Sequence, residues 1–359
     1  MKISTSLSKK LGLIAPLIVA PLGGGPTSPE LVAASANAGV LGTLAGAYLS
    51  SEQLEKDVKR VRALTNKEFA INLFVPMPDV KLSADQVEAA IESTQSHRKE
   101  LGLPNPTSVK PPFHPNFDEQ FVKVLAAKPI AFSFIFGLLD SSYLSECRKA
   151  NILTIGTATS LEEGMALEES GVDAVIAQGV EAGGHRGIFG ADQEDPMIGT
   201  MALTRLLVRN LKIPVISAGG IADGREVAAA LILGAQAVQL GTVFLASKEA
   251  ATSEPYRKAL LKEDSKTSRL TRAFSGRLAR GLPNKFMMEM EHNKSILPFP
   301  AQNSFTRDIR GESTKQGKSE YLSLWAGTGV NEIKHEPAET IIKRLIKETE
   351  EAIQNPLRN

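Results

Sequence analysis

The sequence predicts an α/β fold: a (β/α)8 TIM barrel, with an insertion after the third strand and a smaller substrate-covering subdomain after the eighth. Three observations carry the prediction. Eight short β-rich runs recur along the chain, at 17–21, 40–44, 69–75, 130–136, 152–156, 174–177, 214–218 and 237–245. Most are continuously apolar rather than alternating, as strands covered on both faces must be. Helical patterns lie between them, and alternation of strand and helix builds a parallel sheet with its helices outside. Eight strands favour closure into a barrel over an open doubly wound sheet. The segment Gly23-Gly24-Gly25-Pro26 has the wrong spacing for the dinucleotide fingerprint G-x-G-x-x-G.

The helix candidates follow in order. They span 29–38, 51–64, 118–127, 142–150, 161–170, 199–210 and 225–233. Gly39, Gly171 and Gly234 stand where three of them should stop, because glycine accepts the left-handed conformation of a C-cap. Ser160 and Asp223 are N-cap candidates for two. Residues 76–117 carry seven prolines around a helical pattern at 84–101 and read as an insertion. In a barrel such an insertion lies at the C-terminal face of the strands, where active sites are built. Residues 251–335 are polar, punctuated by glycine and proline, and read as a cover over the same face. The charged amphipathic stretch 337–353 reads as the helix that closes the barrel. The expected division is therefore a barrel over 1–250, a cover over 251–335 and a returning tail over 336–359.

Composition excludes several classes. Lys and Arg together number 41 against 40 Asp and Glu, so there is no electrostatic case for nucleic acid. Cys147 is the one cysteine, which rules out an intrachain disulfide and any iron–sulfur cluster held by this chain alone. Cys147 itself falls in a helical pattern and reads as packing. Lys9 and Lys10 before an apolar run imitate a secretory leader, but Pro16, Pro21, Pro26 and three glycines suit a strand and loop better. The uncharged stretches 31–51 and 227–247 are broken by turn residues and do not read as membrane spans. A soluble cytoplasmic protein, monomer or homodimer, is the expectation.

Chemistry concentrates after strands six, seven and eight. The loop Ser217-Ala218-Gly219-Gly220 follows strand seven, and adjacent glycines let backbone N–H groups approach a phosphate. Gln239-Leu240-Gly241-Thr242 adds a glycine and a hydroxyl where a barrel holds the phosphate of a mononucleotide such as FMN. After strand six comes Gln178-Gly179-Val180-Glu181-Ala182-Gly183-Gly184-His185-Arg186-Gly187. A histidine among glycines at a strand's C-terminal end has little packing purpose, and its titration range suits proton transfer. The Gln178 amide can bond a polar ring. Asn72, inside the apolar run Ala70-Ile71-Asn72-Leu73-Phe74, must find a partner, either a barrel hydrogen bond or a cofactor. His97, His114, His292 and His335 lack such a setting. No HExxH spacing or His/Cys cluster exists, so no metal is expected.

These stretches, taken in order, resemble the class I nitronate monooxygenases, which are FMN-dependent TIM-barrel enzymes. The resemblance runs over roughly residues 14–330. It rests on Ala20-Pro21-Leu22-Gly23-Gly24, Asn72-Leu73-Phe74, the run 132–137, the segment 178–187 and the run 214–221. It continues through 239–242, Ser275-Gly276-Arg277-Leu278-Ala279-Arg280-Gly281 and Leu324-Trp325-Ala326-Gly327. The resemblance implies His185 as catalytic base. It implies FMN contacts at Ala20, Pro21, Leu22, Asn72, Gln178, Gly183, Gly220 and Gln239 to Thr242. It implies oxidation of nitronates or nitroalkanes with O2 to a carbonyl compound and nitrite, as detoxification, with propionate 3-nitronate as the substrate. Arg186, Arg277 and Arg280 are candidates for its carboxylate. The chain departs from the family's usual residues at Leu22, Leu73, Phe299 and Thr328, which bears on substrate preference. The alternative is an NAD(P)H-dependent FMN reductase resembling enoyl-ACP reductase II or NADH:quinone reductases.

Overall fold

The computed structural model describes residues 3–262, 267–291 and 293–356. His292, named above among the weaker histidines, lies outside them. The eight expected runs form one closed parallel barrel. Its strands are Leu17–Val19, Leu41–Ala45, Ala70–Phe74, Ala131–Ile135, Leu153–Ala158, Ala174–Gln178, Val215–Ala218 and Ala237–Leu240. The first strand closes on the eighth through Ile18 and Gln239. The seven inter-strand helices appear within one residue of their expected ends. Gly39, Gly171 and Gly234 all take positive φ where those helices stop. Ser160 and Asp223 cap as their side chains require, each accepting from the backbone N–H three residues on.

Two boundaries differ from the sequence reading. The eighth strand stops at Leu240 instead of 245. Gly241 turns there (φ −116°, ψ −64°) and a 3₁₀ turn over Thr242–Phe244 follows. Val243 and Phe244 are buried in that turn, and an apolar run is equally content in either setting. Before the first strand a short helix, Ser6–Lys10, begins with a capping box between Thr5 and Ser8. Its Leu7, with Leu11, joins Ile18, Leu41, Ile155 and Ile216 to plug the N-terminal end of the barrel.

Outside the strands, Val58, Phe121, Leu144, Leu167 and Leu207 of successive helices share one core with the outward faces of strands three to seven. The last helix, Ala338–Gln354, lies against Gly224–Ile232 and Pro29–Asn37 and completes the ring. Its Ile341, Ile342 and Leu345 are buried there with Leu31 and Val227. The insertion helix Ala84–Leu101 packs on the cover helix Arg307–Lys315. Arg98 ties them by a two-pronged bond to Asp308, at 2.6 and 3.2 Å. No helix among the described residues is long and apolar enough to cross a membrane.

Leu7 tests the plug. Leu7→Ala removes a side chain that is 3% exposed and leaves a cavity at the end of the barrel remote from the loops. A loss of about 2–4 kcal/mol in urea unfolding is expected, with the ligand affinity of the opposite end unchanged.

Candidate functional site

The C-terminal ends of all eight strands open into one cavity of about 440 Å³, within the size range of cofactor and substrate sites. Ala20, Pro21 and Leu22 line it after strand one, and Asn72 from strand three. Gln178, Gly183 and His185 line it after strand six, Gly219 and Gly220 after strand seven, and Gln239, Gly241 and Thr242 after strand eight. Two expected positions do not reach it. Ser217 turns outward, where its hydroxyl bonds the Thr204 hydroxyl at 2.7 Å. Leu240 packs outward beside Leu17 and Leu31. Alternation along a strand is the reason: Ala218 and Gln239 face in, so their neighbours face out.

His185 is held by two parts of the chain. With Gly184 it forms a two-residue strand paired antiparallel to Ala279–Gly281 of the cover, His185 opposite Ala279. Its carbonyl accepts from the Gln178 amide at 3.0 Å. The ring sits among Phe136, Phe299 and Trp325, with centroids 5.6–6.1 Å away. Its Nε2 lies 2.9 Å from the Ser275 hydroxyl. That hydroxyl has one proton, which it donates to the Arg277 carbonyl at 3.0 Å. Nε2 therefore donates and Nδ1 is left as the basic nitrogen. Burial, and then the positive charges of Arg277 and Arg310, push the imidazole down to about 3. At neutral pH the ring is therefore uncharged.

Gln178 is held in turn by Arg186, whose side chain is wholly buried. Arg186 meets Asp195 at 2.6 and 3.3 Å and gives the rest of its fork to the Gln178 carbonyl and amide oxygens and the Gly179 carbonyl. The Gly187 N–H also donates to the Gln178 amide oxygen, at 2.7 Å. The Gln178 amide thus has one fixed orientation. Asn72 gives its amide to Ser133, at 2.9 Å to the hydroxyl, with its side chain at the cavity wall.

The wall after strands seven and eight is a backbone cradle. Gly219 and Gly220 take φ of +121° and +72°, and a Cβ on Gly220 would stand 2.7 Å from the Thr328 hydroxyl. The Thr242 hydroxyl accepts from the Gly327 N–H at 2.9 Å, which leaves its own proton free to donate. Closely approached glycine backbone with a hydroxyl beside it suits a phosphate, and fixed amides at Gln178 and Asn72 suit a polar ring. The residues present therefore fit a flavin mononucleotide.

Sequence reasoning missed several groups. Tyr48, Tyr256, Trp325, Arg307 and Arg310 also line the cavity. Ser275 orients the histidine, and Asp195 neutralises Arg186. For Ser275 the signal is its neighbour Gly276, where positive φ and a Cβ that would meet the Leu297 carbonyl at 2.2 Å demand glycine. The three arginines expected near a carboxylate are occupied elsewhere. Arg186 is in its ion pair. Arg277 donates to the Arg186 and Ile188 carbonyls and lies 3.8 Å over the Phe136 ring. Arg280 donates to the Val180 and Ser268 carbonyls. Of the departures, Leu22 lines the cavity and Phe299 faces His185, whereas Leu73 is core.

Asp195→Asn removes the carboxylate paired with a wholly buried guanidinium. A loss of about 3–5 kcal/mol in denaturant unfolding is expected, while an exposed pair such as Lys59–Glu55 tolerates the same treatment.

A family model described as nitronate monooxygenase matches residues 5–348. A probable nitronate monooxygenase of Staphylococcus saprophyticus is 37% identical over 354 residues, 98% of this chain and 99% of that protein. One from Staphylococcus aureus is 37% identical over 350 residues, covering 97% and 98%. Among solved structures, a nitroalkane oxidase from Streptomyces ansochromogenes superposes with a TM-score of 0.90 at 35% identity, over 98% of this chain and 99% of that one. FabK from Thermotoga maritima superposes at 0.76 with 27% identity, over 99% and 98%. With the histidine, the glycine cradle and near-complete coverage in agreement, this chain belongs to the nitronate monooxygenase family of oxidoreductases.

Proposed function

We propose that the protein oxidises alkyl nitronates with O2 to a carbonyl compound and nitrite, using FMN, as cytoplasmic detoxification, and that propionate 3-nitronate is its substrate. The observation that carries this reading is the uncharged His185, its Nε2 committed to Ser275, at the mouth of a cavity with a glycine cradle on the facing loops. FMN, when bound, supplies the acceptor for the substrate's electrons and the route by which they reach O2. Its phosphate would be held by the backbone at Gly219, Gly220 and Gly241 with the Thr242 hydroxyl. Its ring would be held by Ala20 to Leu22, Asn72, Gln178 and Gly183.

The chain's own residues divide the remaining work. A neutral nitroalkane must lose its α-proton before it can be oxidised, and Nδ1 of His185 takes it. Ser275 keeps the ring in the tautomer that allows this. Phe136, Phe299 and Trp325 keep water from competing for the proton. A nitronate arrives without that proton and needs no base. Nor does it find a charged imidazole, since His185 is protonated only in strong acid. Steadying the nitronate's charge falls to Arg310, which lines the cavity and whose charge already bears on the imidazole.

His185→Asn should cut kcat/KM for a nitroalkane by about 10²–10⁴-fold and leave turnover of the matching nitronate within a few-fold. Equal losses on both would remove the base assignment. In the wild type, nitroalkane turnover should hold as pH falls through 6.5, the ordinary imidazole value, because the folded-state group titrates near 3. A decline centred on 6.5 would contradict the buried, neutral ring. The decisive test is anaerobic mixing of the purified protein with propionate 3-nitronate, and separately with NADH and NADPH, while flavin absorbance is followed. Bleaching by the nitronate alone supports the monooxygenase reading. Reduction by a nicotinamide alone would transfer the protein to the reductases. A preparation with no flavin spectrum after FMN addition would defeat both.

A further inference from the structure

The helix Thr200–Asn210 starts without a side-chain cap of its own. Its N-cap is Gly199, which has nothing to offer the first backbone N–H groups. Glu181, from the loop after strand six, does that work from outside the helix. Its carboxylate accepts the Thr200 N–H at 2.9 and 3.1 Å. The Thr200 hydroxyl then has two acceptors within reach, Glu181 Oε2 and the Gly219 carbonyl, both at 2.8 Å. Two glycines make room for it. A Cβ on Gly179 would stand 2.0 Å from the Thr200 hydroxyl, and one on Gly219 would stand 2.7 Å from it. Gly219 and Gly220 line the cavity, whereas Thr200 and Glu181 do not. Thr200 therefore approaches the cradle from behind. A trans peptide points its C=O and its N–H to opposite sides. With the Gly219 carbonyl turned back to Thr200, the Gly220 N–H is turned forward to the cavity. No acceptor among the described residues takes that N–H.

We propose that Thr200, held by Glu181, is the positioning residue that aims the Gly220 N–H at the phosphate of the cofactor. This rests on the FMN reading above and adds to it two residues that stand outside the cavity. Without the hydroxyl, the Gly219 carbonyl loses its donor. Both residues of that peptide have the wide conformational range of glycine, so the unit is then free to flip and present an oxygen where an N–H stood. A carbonyl oxygen facing a phosphate repels it. The loss therefore falls on the phosphate and not on the flavin ring. The hydroxyl has one proton for its two acceptors. Once the Gly220 N–H is engaged by an anion, the Gly219 carbonyl becomes the stronger acceptor, because hydrogen bonds in a chain polarise one another. The Thr200 hydroxyl then turns from Glu181 to Gly219, while Glu181 keeps the Thr200 N–H. The Glu181 carbonyl also accepts the Thr328 N–H of the cover at 3.1 Å, so one residue ties the helix, the cradle and the cover together.

The test titrates the full-length apoprotein with FMN and, separately, with riboflavin, the same flavin without its phosphate, while flavin fluorescence is followed. The wild type, Thr200→Ser and Thr200→Val are compared. The wild type is expected to bind FMN more tightly than riboflavin. Thr200→Val keeps the shape and loses the hydroxyl. It should weaken FMN binding ~3- to 10-fold and leave riboflavin binding unchanged, so the preference for FMN falls by that factor. Thr200→Ser retains a hydroxyl and should keep the wild-type preference. A merely structural role would weaken both flavins alike. Equal weakening, or an unchanged preference in Thr200→Val, would overturn the proposal and leave the FMN reading standing. A wild type that binds neither flavin would overturn that reading and the proposal with it. Thr200→Cys, whose thiol donates only weakly, keeps the test usable if Thr200→Val fails to fold, and the preference should fall there too, by less.

Discussion

A guanidinium with no exposure to water organises the reacting end of this protein. Burying the Arg186 charge costs several kcal/mol, and only a complete set of partners makes it tolerable. Asp195 supplies the counter-charge, and the Gln178 and Gly179 oxygens fill the remaining fork. Because these partners lie on both sides of the strand-six loop, satisfying Arg186 folds that loop back on itself. The fold-back fixes the Gln178 amide, and Gln178 in turn holds the His185 carbonyl. The position of the His185 imidazole thus depends on an ion pair that does not itself line the cavity.

The cover completes what the barrel begins. Strand pairing between His185 and Ala279 ties the barrel loop to the cover, and Ser275 chooses the imidazole tautomer. Phe136 lies under Arg277 with φ of +84°, an uncommon backbone state for a residue with a Cβ. The local cost is offset by the cation–π contact and by its neighbours Phe74 and Phe299. These contacts surround the histidine with apolar rings and positive charge, and both lower its proton affinity. One electrostatic arrangement therefore keeps the imidazole neutral and makes the cavity attractive to anions.

Much of this was legible in the chain. The eight apolar runs and seven helical patterns followed from periodicity and cap residues, because a parallel barrel buries both faces of every strand. The boundary error after Leu240 arose because burial, which the run encodes, does not specify strand over turn. At the site, the paired glycines and the glycine-flanked His185 marked stretches that line the cavity. The side chains of Ser217 and Leu240 lie off the cavity, and a loop motif does not say which residues of the adjoining strand face inward. Arg186, Arg277 and Arg280 stand in glycine-rich motifs and were candidates for a substrate carboxylate, and each is spent on protein oxygens.

The sequence by itself determined the barrel, the order of its elements and the family, since these rest on local periodicity, backbone permissiveness and ordered motifs. Tertiary structure alone decided the charge state of His185 and which arginines are held in ion pairs. Both depend on groups far apart in the chain: Ser275 on His185, Asp195 on Arg186, Asp308 on Arg98. Desolvation and ion pairing are set by which groups meet in space, and no spacing along a single sequence encodes that meeting.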